Sequence, residues 1–195
     1  MNDFLEYHNW FDEAFEEKSD RRYVTFRIAL NLLSQQKGHN IVETGTTRQV
    51  DDYGAGYSTY IFANFVEMYG GKITTIDIDP KNMDVCKEIT KEFADKINYV
   101  VSDSLFALTK IEEPIDLLYL DSLDTPIPDN EDARLAQEHN LKEFKLVEHL
   151  LHKDSIILID DNDFANGGKA RLTKKYLAEK GWRLLLNFQQ SLWIK

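Results

Sequence analysis

Several things are scarce in this chain, and each scarcity excludes something. Only one cysteine, Cys86, occurs in 195 residues, so no intrachain disulfide can form, and the composition fits a reducing, cytoplasmic setting. Because Cys86 falls in a helical pattern among charges, it is given no catalytic role. No apolar run reaches the roughly 20 residues needed to cross a bilayer. The opening MNDFLEYHNWFDEAFEE is acidic and lacks the apolar segment of a secretory leader. Neither pattern offers a membrane contact. Basic residues are outnumbered, with 23 Lys and Arg against 34 Asp and Glu and a net charge of -11. Such a surface repels a phosphate backbone and speaks against nucleic acid as a partner, although a local basic groove stays open. Internal repeats, low-complexity tracts and linkers are also missing. What remains, 195 residues of which 43% are hydrophobic, suits a single α/β domain with a sizeable core.

The chain divides into an N-terminal helical part, residues 1–38, and a larger α/β part, residues 39–195. Over 3–17, Phe4, Tyr7, Trp10, Phe11 and Phe15 recur at helical spacing and make one aromatic face. That face can pack on the domain, pack on a second subunit in a homodimer, or cover a substrate. A second helix is expected over 20–36, with Gly38 as its stop. From Ile41 onward strands and helices alternate. Strands are expected at 40–44, 72–77, 97–101, 115–120, 155–160, 182–187 and 191–195. Helices are expected at 57–69, 80–94, 103–109, 131–151 and 167–180. Such alternation predicts a mostly parallel sheet of seven strands with helices on both faces. Only Asn187-Phe188-Gln189-Gln190 separates the last two strands, so they should close as an antiparallel hairpin.

The stretch Asn40–Ser58, NIVETGTTRQVDDYGAGYS, is the candidate centre: a buried strand, the acid Glu43, a turn at Gly45, then Gly54, Gly56 and a helix start. In an open parallel sheet, ligands bind beyond the carboxyl ends of the strands. All five such ends carry acids: Glu43; Asp77 and Asp79; Asp103; Asp121; and Asp160, Asp161 and Asp163. One or two acids after strands are ordinary helix caps, and Asp79 is better placed than Asp77 to cap the helix that opens at Pro80. Acids at all five ends call for another explanation.

The series ETG, IDIDP, VSDS, LYLDS and LIDD, together with the terminal hairpin, resembles the class I S-adenosylmethionine-dependent methyltransferases, a Rossmann-like fold. The resemblance covers residues 40–195 and is nearest to the metal-dependent small-molecule O-methyltransferases of the catechol, caffeoyl-CoA and macrocin types. It implies S-adenosylmethionine as cofactor and a small hydroxylated acceptor, such as a sugar or a natural-product intermediate. Glu43 would lie beside the methionine ammonium, with Gly45, Thr46 and Ser58 at the carboxylate end. Asp77, followed by Ile78, would take the ribose hydroxyls, while Asp103 and Ser104 would approach the adenine. A hard divalent cation, most plausibly Mg²⁺, would be held by Asp121, Asp160 and Asp161, or by Asp161 and Asn162 in a register shifted by one. A coordinated hydroxyl loses its proton more readily.

Where the catechol enzymes carry a lysine three residues after the strand-four acid, this chain has Asp124. The preferred base is therefore His139, on the long helix after the 121–131 loop, with Asp121 beside the reacting groups. His149 and His152 are expected at that helix's C-terminal end as structural residues. Between Gly45 and the Tyr57 helix lies a long insertion. Its Arg48 can meet the cofactor carboxylate or an acidic substrate, or pair with Asp51 or Asp52. Lys169, after Gly167-Gly168, is a candidate to face substrate. Two other classes stay in view, a nicotinamide-dependent reductase and a non-catalytic cofactor-binding scaffold. ETGTTR lacks the G-x-G-x-x-G spacing of the reductase. Asp121-Ser122-Leu123 lacks the proline-aromatic motif typical of methyltransferases acting on base amines.

Overall fold

The structure, a computed structural model, describes residues 2–18, 21–50, 53, 57–125 and 133–195, with side chains from Tyr7 onward. Phe4's side chain, Asp51, Asp52, Gly54, Gly56 and most of the 121–131 loop lie outside the described residues. Seven strands form one sheet in the order β3-β2-β1-β4-β5-β7-β6. They are β1 (Asn40–Thr44), β2 (Lys72–Asp77), β3 (Ile97–Val101), β4 (Ile115–Leu120), β5 (Leu151–Ile159), β6 (Arg183–Asn187) and β7 (Ser191–Ile194). The first five pair in parallel, and β7 inserts antiparallel between β5 and β6. The mostly parallel Rossmann-like sheet with a terminal hairpin is therefore observed.

Side chains alternate across the central strands, and the helices divide accordingly. Leu117, Tyr119, Ile156 and Leu158 face α1 (Asn2–Phe15), α2 (Arg22–Leu33) and α3 (Ser58–Tyr69). Leu118, Leu120, Ile157 and Ile159 face α5 (Ser104–Leu108), α6 (Arg134–Val147) and α7 (Arg171–Glu179). Covered on both faces, these strands read as continuous apolar runs. Helix α4 (Pro80–Ile89) packs beside β2 and β3. It is shorter than expected because the Thr90 hydroxyl bonds the Cys86 carbonyl at 2.7 Å and the chain tightens into a 3-10 turn, Lys91–Lys96. Burial among α4's neighbours pushes the Cys86 thiol up to about 11, so it stays protonated and inert.

Two further boundaries moved for physical reasons. Helix α6 ends at Val147, followed by a 3-10 turn, Glu148–Leu150, and β5 begins at Leu151 because that residue pairs with Ile115. His152 therefore sits in β5, 3.0 Å from Asp116, rather than at a helix end.

Much of the aromatic face of α1 packs inward. Tyr7, Phe11 and Phe15 are at most 1% exposed. Phe11 stacks on Tyr23 of α2, their ring centres 5.5 Å apart, and Tyr7 meets Phe65 of α3 edge-on. These three rings of the face are spent within the chain, while Trp10 is partly exposed. Arg27 fixes the α1–α2 pair with a two-pronged bond to Asp12, at 2.6 and 2.9 Å. Phe11→Ala should empty a fully buried ring site and cost about 3–5 kcal/mol, read as a lower urea midpoint with an unchanged denaturant slope.

Candidate active site

One cavity of about 840 Å³ opens at the carboxyl ends of the parallel strands. Its wall holds Gly45 and Thr46 after β1, Asp77 and Ile78 after β2, Asp103 and Ser104 after β3, Asp121 after β4 and Asp161 after β5. Strand order changes direction between β1 and β4, and such a crevice is where open α/β sheets take ligands.

Gly45 sets the floor. Its φ is +84°, and a β-carbon there would lie 2.3 Å from the Asp121 carbonyl oxygen. The β1 turn and the β4 end can approach this closely only without a side chain. Asp77 then ties the rim together, accepting from the Thr46 N–H at 3.1 Å and the Asp79 N–H at 2.8 Å. Asp79, not Asp77, caps α4, through the Lys81 N–H at 2.9 Å. Ile78 is 70% exposed and offers the cavity an apolar surface. Asp103 caps α5 through the Phe106 N–H at 3.1 Å while also facing the cavity.

Glu43 and Ser58 lie one layer below this wall. Glu43 is fully buried, and it accepts from Ser58, from Thr59 at 2.6 Å and from Thr75 at 2.8 Å. Burial raises its carboxyl to about 7, against the pull of those three hydroxyls. It braces β1, β2 and α3 behind the turn, and neither it nor Ser58 is among the described residues that line the cavity.

His139 reaches the cavity from α6 on the β3 side. Its Nε2 is 3.0 Å from Ser104 Oγ and 3.3 Å from the buried Glu143 carboxylate. The bond to Glu143 raises its pKa against burial. His139 thus lines the same cavity as Asp121 and bonds Ser104 within it.

At the β4 and β5 ends the three expected metal-binding acids do converge, but two cations stand among them. Lys169 Nζ is 2.7 Å from Asp121 and 3.2 Å from Asp161, and the residue is 1% exposed. It faces the acids and not the cavity, contrary to the sequence expectation. Arg22, from α2, bonds Asp160 at 2.8 and 3.2 Å and lies 3.8 Å from Asp161. Tyr119 OH is 2.7 Å from Asp160, and the Asp161 N–H donates to Asp160 at 2.7 Å. With its amide oxygen turned toward Arg22, Gln189 also accepts from the guanidinium. Asp161 takes a left-handed backbone, φ +46°, to carry its carboxylate inward. Gly168 makes the return possible, since a β-carbon there would collide with the Asp161 carbonyl at 1.7 Å.

The electrostatics follow from this packing. Burial opposes charge on Asp160, yet Arg22 first and Lys169 second hold its carboxyl below the ordinary range. Burial would strip the Lys169 proton, and Asp121, Asp161 and Asp160 keep it on. Asp121 is driven well above the usual carboxylate range by burial, with Lys169 pulling it back and Asp160 and Asp161 pushing it up. Its side chain is 22% exposed toward the cavity, where solvent moderates the rise.

The Mg²⁺ expectation does not fit this donor set. Both Asp160 oxygens are saturated by donors, and an ammonium sits between Asp121 and Asp161. Among the described residues no group of three His, Cys, Asp or Glu is arranged to hold a metal ion. The shifted register fails too, because Asn162 turns away to Asn187, Phe188 and Lys174. Arg48 pairs with Asp124, 2.7 Å away, across the cavity mouth. Arg22 was missed by sequence reasoning, since an arginine opening an amphipathic helix carries no signal of where it will be buried.

This sheet order, with acids ranged along one crevice, is the class I methyltransferase architecture. A family model described as "Methyltransferase domain" matches residues 52–162, and the chain belongs to that family. Over 138 residues the chain is 28% identical to the O-methyltransferase ankF of Aspergillus thermomutatus, covering 69% of this chain and 50% of that protein. The chain thus spans about half the length of this curated relative. Among solved structures, the SAH-bound methyltransferase PaMTH1 of Podospora anserina superposes with a TM-score of 0.65 at 17% identity, covering 100% of this chain and 88% of that one. An O-methyltransferase from Bacillus cereus in complex with SAH gives 0.59 at 17% identity, covering 100% and 91%. At such identities these likenesses concern the fold.

Glu43 offers a clean test of the buried layer. Its folded pKa of about 7 lies above the ordinary 4.5. The unfolded chain therefore loses this proton first, and stability falls as pH rises from 4.5 to 7. The shift corresponds to about 3 kcal/mol. In Glu43→Gln that contribution should vanish, so wild type should lose stability relative to the variant when urea midpoints are compared between about pH 5 and 7.5.

Proposed function

We propose that the protein transfers a methyl group from S-adenosylmethionine to the hydroxyl of a small acceptor. The observation that carries this reading is one shared cavity lined by Asp77, Asp103 and Asp121 from three strand ends of a methyltransferase-family fold. A volume of about 840 Å³ accommodates a nucleoside-sized donor with a small acceptor. The Asp77 carboxylate, on the cavity wall, suits a pair of ribose hydroxyls, since its two oxygens can each accept. Ile78 supplies an apolar face for the adenine, and the Ser104–His139 pair supplies polar groups beside it. Thr46 stands at the turn where the methionine end would lie, and Glu43 and Ser58 act from beneath by holding that turn.

The chemistry asks little of the protein beyond alignment and one proton transfer. The acceptor oxygen attacks the sulfonium methyl carbon, the carbon–sulfur bond breaks, and sulfur keeps the electron pair. The hydroxyl proton must leave as the new bond forms. Asp121 is assigned to receive it, because it lines the cavity and burial raises its carboxyl above the ordinary carboxylate range, which makes it the stronger base. His139 is given a role on the adenine side, through its contact with Ser104.

Titration calorimetry with S-adenosylmethionine, and with NADH as the control, tests the reading. Binding of S-adenosylmethionine and transfer of labelled methyl to hydroxylated acceptors is the expected result. Binding of NADH in its place would overturn it. Asp77→Asn should weaken S-adenosylmethionine binding by roughly ten- to a hundredfold, with the far-UV circular dichroism spectrum unchanged. Asp121→Asn should bind donor normally and lose turnover by about a hundredfold or more.

A further inference from the structure

We propose that Lys169 and Arg22 occupy the electrostatic role of a divalent cation in this cavity, so that its acid cluster works without a metal. The inference rests on the methyltransferase reading for its meaning, but its geometry stands apart from that reading. Three carboxylates, Asp121, Asp160 and Asp161, converge at the ends of β4 and β5. A cluster of this kind is unstable unless positive charge is supplied, because like charges at close range oppose ionisation.

Here the chain supplies that charge itself. Lys169 Nζ contacts Asp121 at 2.7 Å and Asp161 at 3.2 Å, the two acids of the cluster that face the cavity. A hard cation would need these same oxygens at about 2.0–2.1 Å, and the ammonium fills the space between them. Arg22 saturates Asp160 with bonds at 2.8 and 3.2 Å, and Tyr119 and the Asp161 N–H complete its shell. Neither cation can swing aside at low cost. Lys169 is 1% exposed and follows Gly168, whose close contact with the Asp161 carbonyl fixes the path of the turn. Arg22, the first residue of α2 and part of the cavity wall, is 7% exposed. Lys169 is therefore a positioning residue. It aims the Asp121 and Asp161 carboxylates into the cavity and neutralises them from below.

Manganese provides a probe that needs no turnover. Mn²⁺ is titrated against the full chain while the free-ion electron paramagnetic resonance signal is followed, with thermal midpoints read in Mg²⁺ and in chelator. Wild type is expected to remove no stoichiometric Mn²⁺ from solution, and its midpoint should be the same in both. In Lys169→Ala the ammonium is gone and the acids are left with Arg22 alone. That variant should take up one Mn²⁺ per chain, displaced by Mg²⁺, and its midpoint should rise with added metal. Lys169→Met keeps the volume, and the same gain is expected if the alanine variant fails to fold.

One tight Mn²⁺ in wild type would overturn the proposal. So would methyl transfer that chelator abolishes and Mg²⁺ restores. Folded Lys169 variants that gain no Mn²⁺ would also overturn it, since the lysine would then not stand where a cation can bind. If neither variant folds, the wild-type titration decides by itself. Wild type that binds neither Mn²⁺ nor S-adenosylmethionine would sink the methyltransferase reading and leave the charge substitution standing.

Discussion

The structure depends on a buried exchange of charge. Asp160 is wholly enclosed and stays ionised because Arg22 reaches it from the other end of the chain. Removing such a group from water is costly, and only close, well-directed partners offset the loss. Asp160 has them on both oxygens. Around that pair, Tyr119, Gln190, Asp161 and Lys169 form a continuous network, in which Gln190 donates to Tyr119 at 3.1 Å. The arrangement joins α2, β4, β5 and the terminal hairpin at one point. A cluster of this kind gives less stability than an apolar core would, and what it provides is orientation of the acids above it.

The rest of the cavity is held by plainer means. Parallel strands with both faces buried keep their ends in register, so the turns after β1 to β5 start from fixed positions. Gly45 lets the β1 turn touch the β4 end, and Asp77 bridges the β1 and β2 turns through backbone N–H groups. Beneath them Glu43 collects three hydroxyls from α3 and β2. Polar side chains thus form two layers, an inner one that braces and an outer one that faces the ligand space.

The legibility of this plan in the sequence was uneven, for physical reasons. Strand positions were clear because short β-branched and apolar runs alternate with helical patterns, and β1 to β4 match the expected spans. Helix ends were harder. The Thr90 side chain ends α4 and the pairing of Leu151 with Ile115 advances β5, and neither event has a periodic signature. The acids at the strand ends were visible as a series, but not the direction each side chain takes. Glu43 looked like Asp77 in the sequence and turned inward, where the hydroxyls of Ser58, Thr59 and Thr75 await it. The partners of the two cations could not be read because they are remote, although Lys169 itself stood out as a candidate. Lys169 is 48 residues from Asp121 and Arg22 is 138 from Asp160. Local pattern carries no information over such separations.

Those separations also bear on the order in which the molecule can be completed. Arg22 precedes Asp160 by 138 residues, and Thr25 precedes the Gln190 it bonds by 165. Contacts between distant segments must wait until the intervening chain is in place. The aromatic rings of α1 and α2 also complete their packing only against α3, as Tyr7 does on Phe65 and Phe26 on Phe62. The buried floor of the crevice closes only when Gln190, in the β6–β7 turn, reaches Thr25 and Tyr119, so a polypeptide made short of that hairpin has no finished crevice to expose.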